Sequence, residues 1–219
     1  MSTAAFPGPA PLAWTDAELD RMVALGILPA NHSRRGVRFT RDQFRDLRWH
    51  GFFTDRRVCL LHGEVIEMSV NEPHSAGVMT VADVLRAVFG AGYCVREEKA
   101  LDVNTENDPE PDVVVVPGNT RTYRHAPTAP DASVALIVVE EADSTLFQDT
   151  TTKAELYATA GVADYWVLDV ENDRLLVFRD PQPVAGVVAY RTRLTLTAGD
   201  TVTLLAVPNV PIPVADLIP

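Results

Sequence analysis

Apolar and polar positions follow a helical period at the start of this chain and strand-like runs later. "TDAELDRMVALG" and "TRDQFRDLRWHG" each begin with a Thr that suits an N-cap and end with a stop Gly, at the same separation. The apolar residues Leu19 and Met22 of the first match Phe44 and Leu47 of the second. The pair reads either as a weak duplication of a short helical unit or as two amphipathic helices that share only their caps. "RVCLLHGEVIEMS" (57–69) predicts a hairpin turning at His62-Gly63. "EPHSAGVMTVADVLRAVFGAG" (72–92) predicts a helix, with Val78, Val81, Val84, Leu85 and Val88 near helical spacing.

From residue 93 the pattern changes to strands. "YCVREEKALDV" (93–103) predicts a strand with mixed faces, and "DVVVV" (112–116) a buried one. "SVALIVVEE" (133–141) is apolar on both faces, as in the middle of a covered sheet. "DTTTKAELYATAG" (149–161) predicts a helix ending at Gly161. Four strands follow at 163–170, 173–180, 186–199 and 200–207, joined by turns short enough for antiparallel meanders. The final "PNVPIPVADLIP" reads as extended chain and one helical turn. This order predicts an α/β or α+β core. Residues 1–12, rich in Pro and Ala, read as a disordered tail; 13–57 read as a helical, Arg-rich extension and 58–219 as the main domain.

Composition narrows the class. A chain of 219 residues can bury one sizeable core, and 47% hydrophobic with 22% charged residues is an ordinary globular balance. No apolar run is long enough for a bilayer, and the N-terminus lacks a basic and a continuous apolar region. No membrane partner and no secretory signal are therefore expected, and the location expected is cytoplasmic. Cys59 and Cys94 sit in apolar surroundings and read as reduced core thiols. The histidines are scattered, without HxxH or HExxH spacing, which argues against a zinc site. A net charge of −11 argues against a general nucleic-acid coat protein. Residues 34–57, however, hold eight Arg against three Asp, a net of +5, so the rest carries −16. A basic segment on an acidic body can face a phosphate backbone.

The candidate chemistry lies at strand ends. Asp112 opens one apolar strand and Glu140 closes another. Neighbouring strands would set them ~5 Å apart. Asp112 shares a face with Val114 and Val116, and Glu140 with Val138 and Leu136, so both would meet at one covered edge. Such a pair needs a metal ion, a proton or a cation to neutralise it. Mg²⁺ takes one or two carboxylates, waters and a phosphate oxygen. Lys153, one turn past Asp149, could reach the same edge. Each residue also has a plainer reading: a turn cap for Asp112, a solvated strand end for Glu140, and a surface ion pair for Lys153.

Taken together, "RRVCLLHGEVIEMS", "EPDVVVVP", "LIVVEEADST" and "DTTTKAELYATAGVADYWVLDV" resemble the Uma2 family (DUF820) of the PD-(D/E)XK nuclease superfamily, over about residues 38–215. The family pattern falls on Gly63-Glu64, Pro111-Asp112, Val139-Glu140, Ser144-Thr145, Asp149, Lys153, Ala160-Gly161, Tyr165-Trp166 and Asp169. The resemblance implies a restriction-endonuclease-like core, a mixed central sheet flanked by helices, behind the N-terminal helical extension. It implies metal ligands at Asp112 and Glu140, with Glu64 adding a carboxylate by family position. The superfamily lysine two places after the Glu is Ala142 here, and the resemblance implies Lys153 as its migrated substitute. His74 stands where the family often has a His; a polar first-turn residue is its other reading. His62, Cys59 and Glu141 depart from the pattern, Glu141 replacing an apolar residue.

The function so implied is metal-dependent endonucleolytic hydrolysis of nucleic acid, DNA before RNA, with Mg²⁺ or Mn²⁺ as cofactor. Lys153 would orient water or stabilise charge on the phosphate. In the basic segment Arg41, Arg45 and Arg48 would hold the backbone; the other reading is solvated arginines on a helix whose aromatics pack inward. A homodimer would suit double-strand cleavage by superfamily analogy. The alternative is a nuclease-fold protein that does not cleave and acts as a binding or assembly module, favoured by the acidic surface and by Ala142.

Overall fold

Both N-terminal helices begin at the threonines that predict them. In the computed structural model, which describes residues 10–68 and 72–219, α1 (Asp16–Ala24) follows Thr15 and α2 (Arg41–Trp49) follows Thr40. Each Thr closes a reciprocal capping box, with Glu18 and Gln43 respectively. Leu19, Met22, Phe44 and Leu47 are all buried, as the shared spacing predicts. They pack with Val58, Leu60 and Val65 of the antiparallel hairpin β1 (Val58–Leu61) and β2 (Glu64–Glu67). The hairpin turns at His62 (φ 50°) and Gly63 (φ 76°), both left-handed as a two-residue turn of this hand requires. Residues 104–109 complete this unit. The Asp108 amide donates to the Leu60 carbonyl (2.9 Å) and the Gly63 amide to that of Glu106 (2.8 Å). The first unit is thus residues 10–68 with 104–109, and its core runs past residue 57 because the hairpin buries its apolar face on the helices. Of the expected tail, residues 1–9 lie outside the described residues; Leu12 donates to the Val65 carbonyl (2.8 Å).

The second unit comprises 72–103 and 110–219. Its helix α3 (Glu72–Phe89) precedes a six-stranded mixed sheet, in which strands occur in chain order. These are β3 (Tyr93–Glu97), β4 (Val113–Pro117), β5 (Ile137–Ala142), β6 (Asp164–Asp169), β7 (Arg174–Val184) and β8 (Val187–Thr197). Only β5 and β6 run parallel. A short helix α4 (Thr120–Arg124) follows β4. The stripe Val78, Val81 and Leu85 of α3, with the hairpin β9 (Thr201–Leu204) and β10 (Val207–Pro213), covers the sheet face of Val113, Val115, Ile137 and Val139. The opposite face, with Val114, Val116 and Val138, packs on the helical segment α5 (Leu146–Gln148), a π-helical turn Asp149–Lys153, and α6 (Ala154–Thr159).

Among the boundaries that differ from the sequence reading, three lie around the site, while β7 also runs on to Val184 and the strand expected at 200–207 ends at Leu204. β3 stops at Glu97, because Glu98 takes left-handed backbone (φ 52°) and turns the chain away. A tight turn at Ala132–Val134 occupies the start expected for β5. Leu136 precedes that strand and packs on the α3 face, opposite the face of Glu140. The helix expected from 149 begins at Leu146. Cys59 and Cys94 are buried and unbridged. Among the described residues no helix is long and apolar enough to cross a membrane.

Candidate active site

The antiparallel pairing of β4 with β5 ends at Val113 opposite Val139, and one further step brings Asp112 alongside Glu140. Both carboxylates are buried, with 4% and 1% of their surface exposed. Asp112 accepts the Glu141 amide at 2.7 Å, so its carboxylate terminates the ladder from the side-chain end. Glu140 and Glu141 are consecutive in a strand and point to opposite faces.

Glu140 faces the helical segment. Lys153 Nζ lies 2.9 Å from Glu140 Oε2 and 2.8 Å from Asp149 Oδ1. The Tyr157 hydroxyl donates to Glu140 Oε1 (2.7 Å) and that of Thr145 to Asp149 Oδ2 (2.5 Å). Asp149, Lys153 and Tyr157 recur at four-residue steps and so share one side of the segment. The threonines that follow Asp149 help to support the π turn there. Thr150 and Thr151 donate to the carbonyls of Leu146 and Phe147 (2.6 Å each), and Tyr165 donates to that of Asp149 (2.8 Å). Side-chain hydroxyls thereby occupy carbonyls in and beside a widened turn, a device frequent at functional sites.

Charge is unevenly balanced on this side. Burial pushes Glu140 up to about 8; the Asp112 and Asp149 charges add to this and Lys153 opposes it. Asp149 is raised for the same reason, burial, against Lys153. Burial also works against the charge of Lys153, but Asp149, Glu140 and Asp112 outweigh it and hold the ammonium protonated. Asp112 has the opposite fate. Burial disfavours its charge, yet the His74 hydrogen bond, Lys153 and the Glu141 amide keep it below the ordinary carboxylate range.

Glu141 faces α3. Its Oε2 is hydrogen-bonded to His74 Nδ1, and His74 Nε2 lies 3.3 Å from Asp112 Oδ1. Contacts with Asp112 and Glu141, against burial, push His74 up to about 10. Gly77 makes room for this contact: a Cβ there would stand 2.9 Å from Glu141 Cγ. The Glu98 amide donates to the Asp112 carbonyl (3.0 Å), and ligand atoms of His74, Glu98 and Asp112 all lie within 4.8 Å of one another. A buried carboxylate flanked by a second carboxylate and an imidazole suits a divalent ion.

The structure therefore brings together Asp112, Glu140 and Lys153, and adds His74. Glu64 belongs to the other unit, where it pairs with Arg38 (3.0 Å). In that unit Arg45 pairs with Asp108 (2.8 Å), and Arg48 donates to the Val58 carbonyl (2.5 Å) with its guanidinium over Phe44. The Arg41 amide donates to the Thr105 carbonyl (2.7 Å), and Trp49 is 87% exposed beside these residues on α2. Glu98 and Tyr157 escaped the sequence reading. For Tyr157 a signal existed, its place one helical turn past Lys153; Glu98 lies just beyond β3 and comes near Asp112 only through the pairing of β3 with β4. Asp169, part of the quoted motif, bonds Arg174 (2.6 Å) and Asn172.

Residues 41–215 match the Uma2 family, described as "Putative restriction endonuclease". A crystal structure described as "a putative nuclease belonging to DUF820", from Anabaena variabilis ATCC 29413, shares the fold: TM-score 0.59 at 16% identity, over 82% of this chain and 97% of that one. No curated protein matches the chain. The family pattern spans both the first unit from α2 onward and the sheet that bears Asp112 and Glu140, and the chain belongs to the Uma2 family.

Proposed function

We propose that this protein is a metal-dependent endonuclease hydrolysing phosphodiester bonds of nucleic acid, DNA in the first place, with Mg²⁺ or Mn²⁺ as cofactor. The observation that carries the reading is the meeting of Asp112 and Glu140 at one sheet edge with Lys153 at 2.9 Å from Glu140. Asp112 and Glu140 would hold the ion, and Glu64 is the further carboxylate that family position suggests. A bound divalent ion would supply Lewis acidity to the phosphate and acidify a water. Lys153, already charged, would orient that water or stabilise charge building on the phosphate. Tyr157 would fix the direction of Glu140. Arg41, Arg45 and Arg48 are proposed to face the polymer, a homodimer to serve double-strand cleavage, and the cytoplasm to be the place of action.

The test is cleavage of supercoiled plasmid, single-stranded DNA and RNA with Mg²⁺ or Mn²⁺, beside Asp112→Asn and Glu140→Gln variants. Cleavage of a nucleic acid that both variants lose supports the reading. Metal binding without cleavage of any substrate would instead favour a nuclease-fold binding module.

A further inference from the structure

We infer that His74, Glu98 and Asp112 form a nitrogen-containing ligand set, oriented by Glu141, that takes a first-row transition ion such as Mn²⁺ in preference to Mg²⁺. The inference rests on the proposed metal dependence at Asp112 and adds two ligands, His74 and Glu98, and the class of ion. Three observations carry it. The ligand atoms of the three residues converge within 4.8 Å, and they come from three places in the chain: α3, the turn after β3, and the residue just before β4. The imidazole is oriented, since Nδ1 is engaged by Glu141 and Nε2 is turned to Asp112. A carboxylate on the far nitrogen of a histidine is the arrangement that fixes ring direction and raises basicity in metal sites. Third, the fold makes space for that carboxylate. Gly77 lies one helical turn from His74, and any Cβ at 77 would collide with Glu141.

Imidazole nitrogen changes the choice of ion. Mg²⁺ takes oxygen ligands and keeps several waters, whereas first-row transition ions accept imidazole; Mn²⁺, the weakest binder of that series, still takes a nitrogen ligand that Mg²⁺ disfavours. A histidine present only to neutralise Asp112 and Glu141 would leave that choice unaltered.

The experiment uses the full chain and Mn²⁺ as the probe. Pulsed electron paramagnetic resonance of the wild type with bound Mn²⁺ is expected to show coupling to an imidazole nitrogen. Titration with competing Mg²⁺ is expected to show a preference for Mn²⁺. His74→Ala should weaken Mn²⁺ binding about tenfold or more while changing Mg²⁺ binding less, and Glu141→Gln should weaken Mn²⁺ binding by about 10- to 100-fold. The spectrum needs no variant, so misfolding of either one leaves the test intact. Bound Mn²⁺ without nitrogen coupling, or an unchanged Mn²⁺/Mg²⁺ preference in folded His74→Ala, overturns the inference. The nuclease reading would then still stand on Mg²⁺-supported cleavage. Failure to bind either ion would remove both.

Discussion

Lys153 stands between Glu140 and Asp149, and all three side chains are almost wholly buried. Lys153→Met should therefore do two separable things. Cleavage should fall by about 100-fold, as for loss of one charge-stabilising donor. Stability of the metal-free protein should fall by about 3 kcal/mol near pH 8, because two buried carboxylates lose their cation. That second loss should shrink towards pH 5, where Glu140, raised to about 8, takes up its proton; urea unfolding at both pH values reads it. His74 gives a complementary pH dependence. Its pKa is raised from 6.5 to about 10, so its stabilising contribution is complete below pH 6.5 and is lost as pH rises through 10. In EDTA, the wild type should lose stability across that window by an amount that His74→Ala does not. Equal slopes for the two proteins would exclude this contribution. Asp112 and Glu140 drew attention in sequence because a charge at the end of an apolar run is costly and so conspicuous, and Lys153 because it stands one helical turn past Asp149. Glu98 did not, because its nearness to Asp112 exists only once β3 and β4 pair. Tyr157 was masked by its own hydrophobicity: an aromatic on an inward stripe reads as core, and its ring does pack there.

Elements differ in how much of their geometry is local. The caps at Thr15 and Thr40 and the turn at His62-Gly63 were readable because a few adjacent residues determine them. The end of β3 and the π turn at 149–153 were not, since a left-handed Glu and a widened helical turn have no short signature. Gly77 shows how element and site conflict. A helix-interior Gly→Ala change ordinarily gains about 1 kcal/mol. Here the added methyl meets Glu141 Cγ, which is close to the backbone and not free to swing away. Gly77→Ala should therefore destabilise the protein, and the same change in a Glu141→Ala background should be neutral or stabilising. A double-mutant cycle by denaturant unfolding should give a coupling of about 1–3 kcal/mol; additivity would mean the contact is not made.

At the scale of the whole molecule, two units with separate apolar cores share one chain. The sequence reading found the sheet and its neighbours because hydrophobic runs mark them. It did not assign residues 104–109 to the first unit, since polar loop residues carry no periodic signal. Asp108 is buried there and bound by Arg45 at 2.8 Å. Asp108→Ala should cost about 2 kcal/mol, the range for hydrogen bonds to charged groups. Hydrogen exchange should register the loss first in residues 10–68 and later, if at all, in β4 and β5. Simultaneous loss of protection in both would show that the units unfold as one.

The excursion of residues 104–109 also bears on descent. These residues complete the first unit but are encoded between β3 and β4, so neither unit corresponds to one uninterrupted stretch of gene. A recombination that transferred either as a single block would leave the Leu60 edge unpaired or carry away the turn that joins Glu98 to Asp112. A block transfer that keeps both units whole must therefore carry them together.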